Sequence, residues 1–420
     1  MVGRDSTLQM TTTLQTAKKA RNLLVASHAL QHIAMTALPP LLLFIAFDVG
    51  LTGTELGFIV AAGSVASGLF QMPAGWLADK FSARQMLLVG YCLTLSGLFL
   101  LSQATSLSGF IIAQLFYGMG NSTFHPASFA DVGRAARHSG GLAMNMALHN
   151  IGGNVGTAAG YAVSGLLATF FGWRSALLTL VGAGAVLVVG FYLSYPRLDD
   201  FDEDEENEVA PTVDQEDEPV VSPRPKVTSW TPVYVIAAAT LLAGVFDSGI
   251  MNWLPTFFTT TRGSSAAAAA LFSTIMMLAG AGGSLAGGSL GDRFHRGNII
   301  LISTTATAVV LAAVVLLPIE GVVLTVAVII KGFFHSLARP SLSAIISEIS
   351  PRGMSGTAFG LIFGVMALGG AIAGPMVGYI YDHASLNLAF LILAAFLLGY
   401  GITIAAVTYR YRLSGQKASR

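Results

Sequence analysis

Three cationic side chains, Lys331, His335 and Arg339, follow one another at four-residue intervals. On an α-helix that spacing stacks them on one face. They stand in an apolar run, where a charged stripe turned towards lipid would be very unfavourable, so the face is expected to line a polar cavity. An ammonium, an imidazole and a guanidinium together suit an anion, because Arg pairs with carboxylate or phosphonate groups through two parallel hydrogen bonds. The expected substrate contacts are Lys331, His335 and Arg339, joined by His149 and Asn121. His28 and His32 share a face at i, i+4 in another apolar run, and Asp247 is the acid of a third. Histidine titrates near physiological pH, so His28 and His32, with Asp247, are the expected proton-coupling groups. Bland readings stand beside these: Lys331 neutralised by Asp247 as a structural pair, Arg339 snorkelling to an interface, and His125 packing beside Pro126. No metal site is expected, since no Cys or Glu ligand lies near His28 and His32.

Such groups need helices to hold them. The chain has 420 residues, of which 54% are hydrophobic and only 10% charged, with 22 basic and 22 acidic residues. An ordinary soluble domain is roughly 25% charged. The composition excludes a soluble globular enzyme, a disordered protein and a nucleic-acid binder with a basic face. A spanning helix takes about 20 mainly apolar residues. Twelve such runs occur, at 22–47, 54–78, 85–103, 107–129, 139–168, 172–195, 230–257, 265–290, 297–318, 321–347, 353–380 and 385–409. The expected fold is therefore an all-α membrane protein of 12 transmembrane helices. With the N-terminus cytoplasmic, 18 basic residues fall on inner segments and only Arg174 and Arg262 on outer loops. That asymmetry predicts a multi-pass protein of the cell membrane with both termini in the cytoplasm. No cleavable signal peptide is visible, so the first span is expected to serve as its own insertion signal.

Residues 199–218 hold twelve acids and are followed by Pro219, Pro223 and Pro225. Such a stretch cannot bury a core, and 196–229 reads as a disordered cytoplasmic linker between units at 1–195 and 230–420. The two units echo each other. Gly75-Trp-Leu-Ala-Asp79-Lys80-Phe81 matches Gly288-Ser-Leu-Gly-Asp292-Arg293-Phe294, His125-Pro126 matches Arg339-Pro340, and Leu38-Pro39 matches Leu254-Pro255, at nearly one offset. This is a 6+6 duplication, two pseudo-symmetric six-helix bundles. Gly152, Gly156 and Gly160, and again Gly370, Gly374 and Gly378, offer flat faces for close helix packing. Pro39-Pro40, Pro255 and Pro375 can kink their spans.

The paired Gly-x-x-x-Asp-Lys/Arg loops on a 6+6 chain resemble the signature loop of the major facilitator superfamily. Gly75, Asp79, Lys80 and Arg84, with Gly288, Asp292 and Arg293, are the expected gating clasp between helices. A narrower resemblance, to the fosmidomycin-resistance branch, lies in Phe124-His125-Pro126, Ser139-Gly140-Gly141, Gly152-Gly153-Asn154-Val155-Gly156 and Ser27-His28. The chain departs from these patterns with His32 where the branch has an acid, Gln114 for the superfamily's fourth-span Arg, and Gly160-Tyr161 for the Gly-Pro pair linked to antiport. The expectation is a secondary transporter moving a small, anionic organic solute by alternating access with proton coupling, as a monomer and without a cofactor or nucleic-acid partner. Two alternatives stay open: a drug or phosphonate efflux antiporter of the fosmidomycin-resistance type, and a non-transporting sensor on the same fold. No Walker loop or His-Glu-x-x-His is present, so neither ATP-driven pumping nor an enzyme is expected.

Overall fold

The computed structural model describes residues 2–80, 83–139, 142–196, 230–349 and 355–411. Among them are fourteen α-helices and no strand. The first set comprises α1 (Val2–Met35), α2 (Leu42–Val49), α3 (Gly53–Lys80), α4 (Ala83–Gln103), α5 (Leu107–Ser139), α6 (Leu142–Phe171) and α7 (Trp173–Ser194). The second comprises α8 (Thr231–Thr260), α9 (Ala266–Arg293), α10 (Arg296–Leu316), α11 (Gly321–Leu337), α12 (Arg339–Ile349), α13 (Ser355–His383) and α14 (Leu386–Arg410). Ten stretches of the described residues are long and apolar enough to cross a membrane. α5 and α6 are long enough, at 33 and 30 residues, but fall outside those ten. Their sequences explain why: Gln114, Asn121 and His125 sit in one, and Asn145, His149 and Asn154 in the other. Large apolar side chains such as Val186 and Leu193 on α7 and Val322 and Val323 on α11 are exposed on the outside. A surface of that kind suits lipid rather than water.

Two expected spans are broken. Pro39 and Pro40 remove two backbone donors, and the chain passes from α1 to α2 through a 3₁₀ turn at Pro39–Leu41. The run 321–347 divides into α11 and α12 just before Pro340, whose missing N–H releases the Ser336 carbonyl; Ser284 Oγ donates to it from α9 at 3.5 Å. Pro255 and Pro375 leave their helices continuous. The carbonyl that Pro255 frees, that of Met251, accepts a hydrogen bond from Tyr161 Oη at 2.5 Å, so a hydroxyl on α6 repairs the defect in α8.

Contact between the two sets is richest along α3 and α13. Gly57 and Gly374 face each other there so closely that a methyl group on either would collide with the other's backbone. A second seam joins α6 to α9, where Thr274 Oγ1 donates to the Ala158 carbonyl at 3.1 Å. Within the first set, Gly152, Gly156 and Gly160 bring α6 onto the backbone of α1, as their spacing predicts. Arg174 pairs with Asp48 and stacks on Trp173, and Arg262 donates to the Val314 and Leu317 carbonyls; these close helix ends away from the termini.

Candidate functional site

Asp247, on α8, is the centre of the cationic stripe. Its Oδ1 lies 3.2 Å from His335 Nε2 and its Oδ2 lies 3.7 Å from Arg339 Nη2. The stripe crosses the break between α11 and α12, so one carboxylate spans two helices that Pro340 has set apart. Lys331 is placed differently. It is buried at 3% exposure, with Nζ on Met276 Sδ at 3.3 Å and over the Phe246 ring at 5.5 Å. The sequence allowed an Asp247–Lys331 pair; the carboxylate instead takes His335 and Arg339. Arg339 keeps 58% of its side chain exposed, so its guanidinium has faces left for another anion.

The first set carries a group of imidazoles. His28 stacks on His149 with ring centroids 4.0 Å apart and meets His32 edge-on at 4.5 Å. His125 stands 5.5 Å from His28 and 5.7 Å from His32. Each ring is tethered through one nitrogen. His28 Nδ1 donates to the His149 carbonyl at 2.7 Å, His32 Nδ1 is 2.8 Å from Thr157 Oγ1, and His149 Nε2 is 3.3 Å from Ser128 Oγ. The local sequence makes the room. Gly153 leaves space for the His28 ring, since a Cβ there would come within 2.8 Å of its Cε1. Ser27-His28, Phe124-His125-Pro126 and Gly152-Gly153 were separate motifs in the sequence, and in the fold they meet at this one place.

His149, expected to touch substrate, is fully buried in that cluster. Asn121 Nδ2 donates to Ser67 Oγ at 3.2 Å, tying α5 to α3, while its Oδ1 is buried without a partner among the described residues. Two apolar concavities of the surface, one beside Pro39 and Pro255 and one between α3, α4 and α5, are lined without a charged side chain.

Of the expected clasp, Gly75, Asp79, Lys80 and Asp292 fall where side chains lie outside the described residues. Arg84 reaches α7 within its own set, donating to the Tyr192 carbonyl at 2.5 Å and covering the Tyr192 ring. Gly288 has open space around it, and Arg293 is exposed. A different latch joins the sets. Asp382, at the end of α13, accepts from Gly53 N at 2.8 Å, Thr54 N at 2.7 Å and Thr54 Oγ1 at 2.5 Å. It thereby caps the N-terminus of α3 from the other half of the chain. No motif flagged Asp382, because a cap supplied from 328 residues away leaves no local spacing to read. His125 was read as a packing residue, and only the fold brings it to His28 and His32.

The family profile described as Major Facilitator Superfamily matches residues 24–329 and 236–420. The fosmidomycin resistance protein of Escherichia coli is 27% identical over 388 residues, covering 88% of this chain and 87% of that one. Monocarboxylate transporter 13 of Bos taurus is 26% identical over 372 residues, covering 82% and 79%. Among solved structures, a mutant of the nucleoside transporter NupG superposes with a TM-score of 0.73 at 16% identity, covering 92% of this chain and 99% of that one.

Proposed function

The chain belongs to the major facilitator superfamily, and we propose that it is a secondary active transporter that carries a small organic anion across the cell membrane by alternating access, coupled to protons. In this reading α1 with α2, and α11 with α12, each form one broken span, and α5 and α6 complete a set of twelve. Residues 1–195 and 230–420 are two six-helix bundles joined by the acidic linker 196–229, with both termini cytoplasmic.

One observation carries the reading: Asp247 is shared by His335 and Arg339 while Lys331 stands buried beside them. Arg339 and, when protonated, Lys331 face one acid, so the site is then short of negative charge and an incoming carboxylate or phosphonate supplies it. The same geometry offers a coupling rule. Arg339 can be held by Asp247 or by a substrate anion. Protonating Asp247 frees the guanidinium, so proton and anion bind together and travel in the same direction. His28 and His32 are the groups we assign to pass that proton. The Asp382–Thr54 contact closes the ends of α3 and α13 remote from the chain termini, which with cytoplasmic termini means a molecule shut towards the outside.

Fosmidomycin-type efflux is the second reading, supported by 27% identity over nearly the whole of the Escherichia coli resistance protein. Proteoliposomes separate the two. With carboxylates and phosphonates added on one side, symport predicts substrate and proton entering together; antiport predicts proton leaving as substrate enters. Transport restricted to organic cations would sink both.

A further inference from the structure

The imidazole cluster raises a question that proton transfer does not answer. His28, His32 and His125 each offer one ligand atom, and these atoms all lie within 4.8 Å of one another. A backbone carbonyl only accepts, so His28 Nδ1, bonded to the His149 carbonyl, carries the hydrogen, and the lone pair of this ring falls on Nε2. The same holds for His125, whose Nδ1 faces the Asn121 carbonyl at 3.5 Å. His32 is tethered through Nδ1 to Thr157, and its Nε2 is buried with no hydrogen-bond partner among the described residues. Three ring nitrogens this close together can be taken up by one metal ion.

We propose that His28, His32 and His125 form a binding site for a first-row divalent metal ion of borderline softness, such as Zn²⁺ or Co²⁺. Three neutral imidazoles with a fourth position left open suit such ions and not Mg²⁺ or Ca²⁺, which take oxygen ligands. The supporting shell is the one metal-binding histidines ordinarily have: each ring is oriented by a hydrogen bond through its other nitrogen, two of them to backbone carbonyls. Binding draws the nitrogens in to about 2.0–2.1 Å from the ion, pinning α1 to α5. The sequence shows only the His28–His32 pair; the third ligand is 93 positions further along and meets them only in the fold. Metal and proton compete for the same lone pairs, so the site also sets a limit on proton traffic through these rings.

The test uses the full-length protein, free of any histidine tag, purified in detergent and stripped with a chelator. Calorimetric titration with Zn²⁺ and visible absorption on adding Co²⁺ are expected to give one ion per chain. His32→Ala and His125→Ala should each weaken binding by at least about tenfold, whereas His383→Ala, stacked on Tyr379 at the far end of α13, should leave it unchanged. If a substitution impairs folding, X-ray absorption on the Zn²⁺-loaded wild type decides the matter: a shell containing three imidazole nitrogens supports the site and an oxygen-only shell overturns it. Failure to take up either ion at micromolar concentration, or uptake unaltered in the His32 and His125 variants, also overturns it. None of these readouts depends on transport, so they stand or fall apart from the anion reading.

Discussion

Asp247 holds a guanidinium and an imidazole at once, which makes it the residue where the charge balance of the site is most easily upset. Replacing it with Asn keeps the shape but leaves Arg339 and His335 without their counter-charge. If a proton on Asp247 is what admits the anion, Asp247→Asn imitates the protonated state. Substrate binding should persist, while uptake should lose its dependence on the proton gradient; counterflow exchange measured against gradient-driven uptake checks this. Arg339→Lys is the complementary change. It keeps the charge but loses the planar fork, so affinity for a carboxylate or phosphonate should fall by about tenfold or more, near 1.4 kcal/mol, in an equilibrium binding assay. At this scale the sequence was informative about which residues are unusual and poor on who meets whom. The i, i+4, i+8 stripe was legible because helical spacing is local. That its acid would choose His335 and Arg339 over Lys331 depended on the break before Pro340, whose geometric effect spacing alone does not convey.

The helices explain why some prolines break the chain and others do not. A proline removes one donor, and the carbonyl it strands must be satisfied inside the membrane. At Pro255 the stranded Met251 carbonyl is taken by Tyr161, and α8 stays whole. At Pro39–Pro40 two donors go in succession and the helix gives way to a 3₁₀ turn. The sequence showed the prolines, but the repairing hydroxyl belongs to another helix. Tyr161→Phe should therefore weaken the α6–α8 contact and leave a carbonyl unsatisfied, costing about 1–3 kcal/mol in a detergent-unfolding assay. Pro340→Ala restores a donor for the Ser336 carbonyl and should join α11 to α12. Arg339 would then leave the Asp247 carboxylate, and transport should fall although thermal stability is retained or raised. The close packing of α6 on α1 was more legible, because Gly152, Gly156 and Gly160 announce it by spacing alone. At the α3–α13 seam, Gly374 and Gly378 meet Gly57 and Gly53, two glycines also four apart, but only the fold shows that the two pairs face each other.

Alternating access requires that contacts between the halves be strong enough to define a closed state and weak enough to break. The α3–α13 interface meets both needs. Its glycines give close, nearly featureless packing that can slide, and Asp382 adds a directional latch at one end, a carboxylate receiving two backbone donors and one hydroxyl. An exposed cap of that kind contributes about 1 kcal/mol, a size at which binding energy from substrate can shift the balance between states. A covalent bond in its place should remove that choice. In a Cys92→Ser background, which takes away the single native thiol, Thr54→Cys combined with Asp382→Cys places two thiols where hydroxyl and carboxylate now touch. Oxidation should cross-link the pair and abolish net transport in proteoliposomes, while substrate binding to the locked protein persists, and reduction should restore flux. Full transport by the oxidised, cross-linked protein would show that α3 and α13 do not part at this end during the cycle, and the latch would then be a fixed joint between halves that move elsewhere.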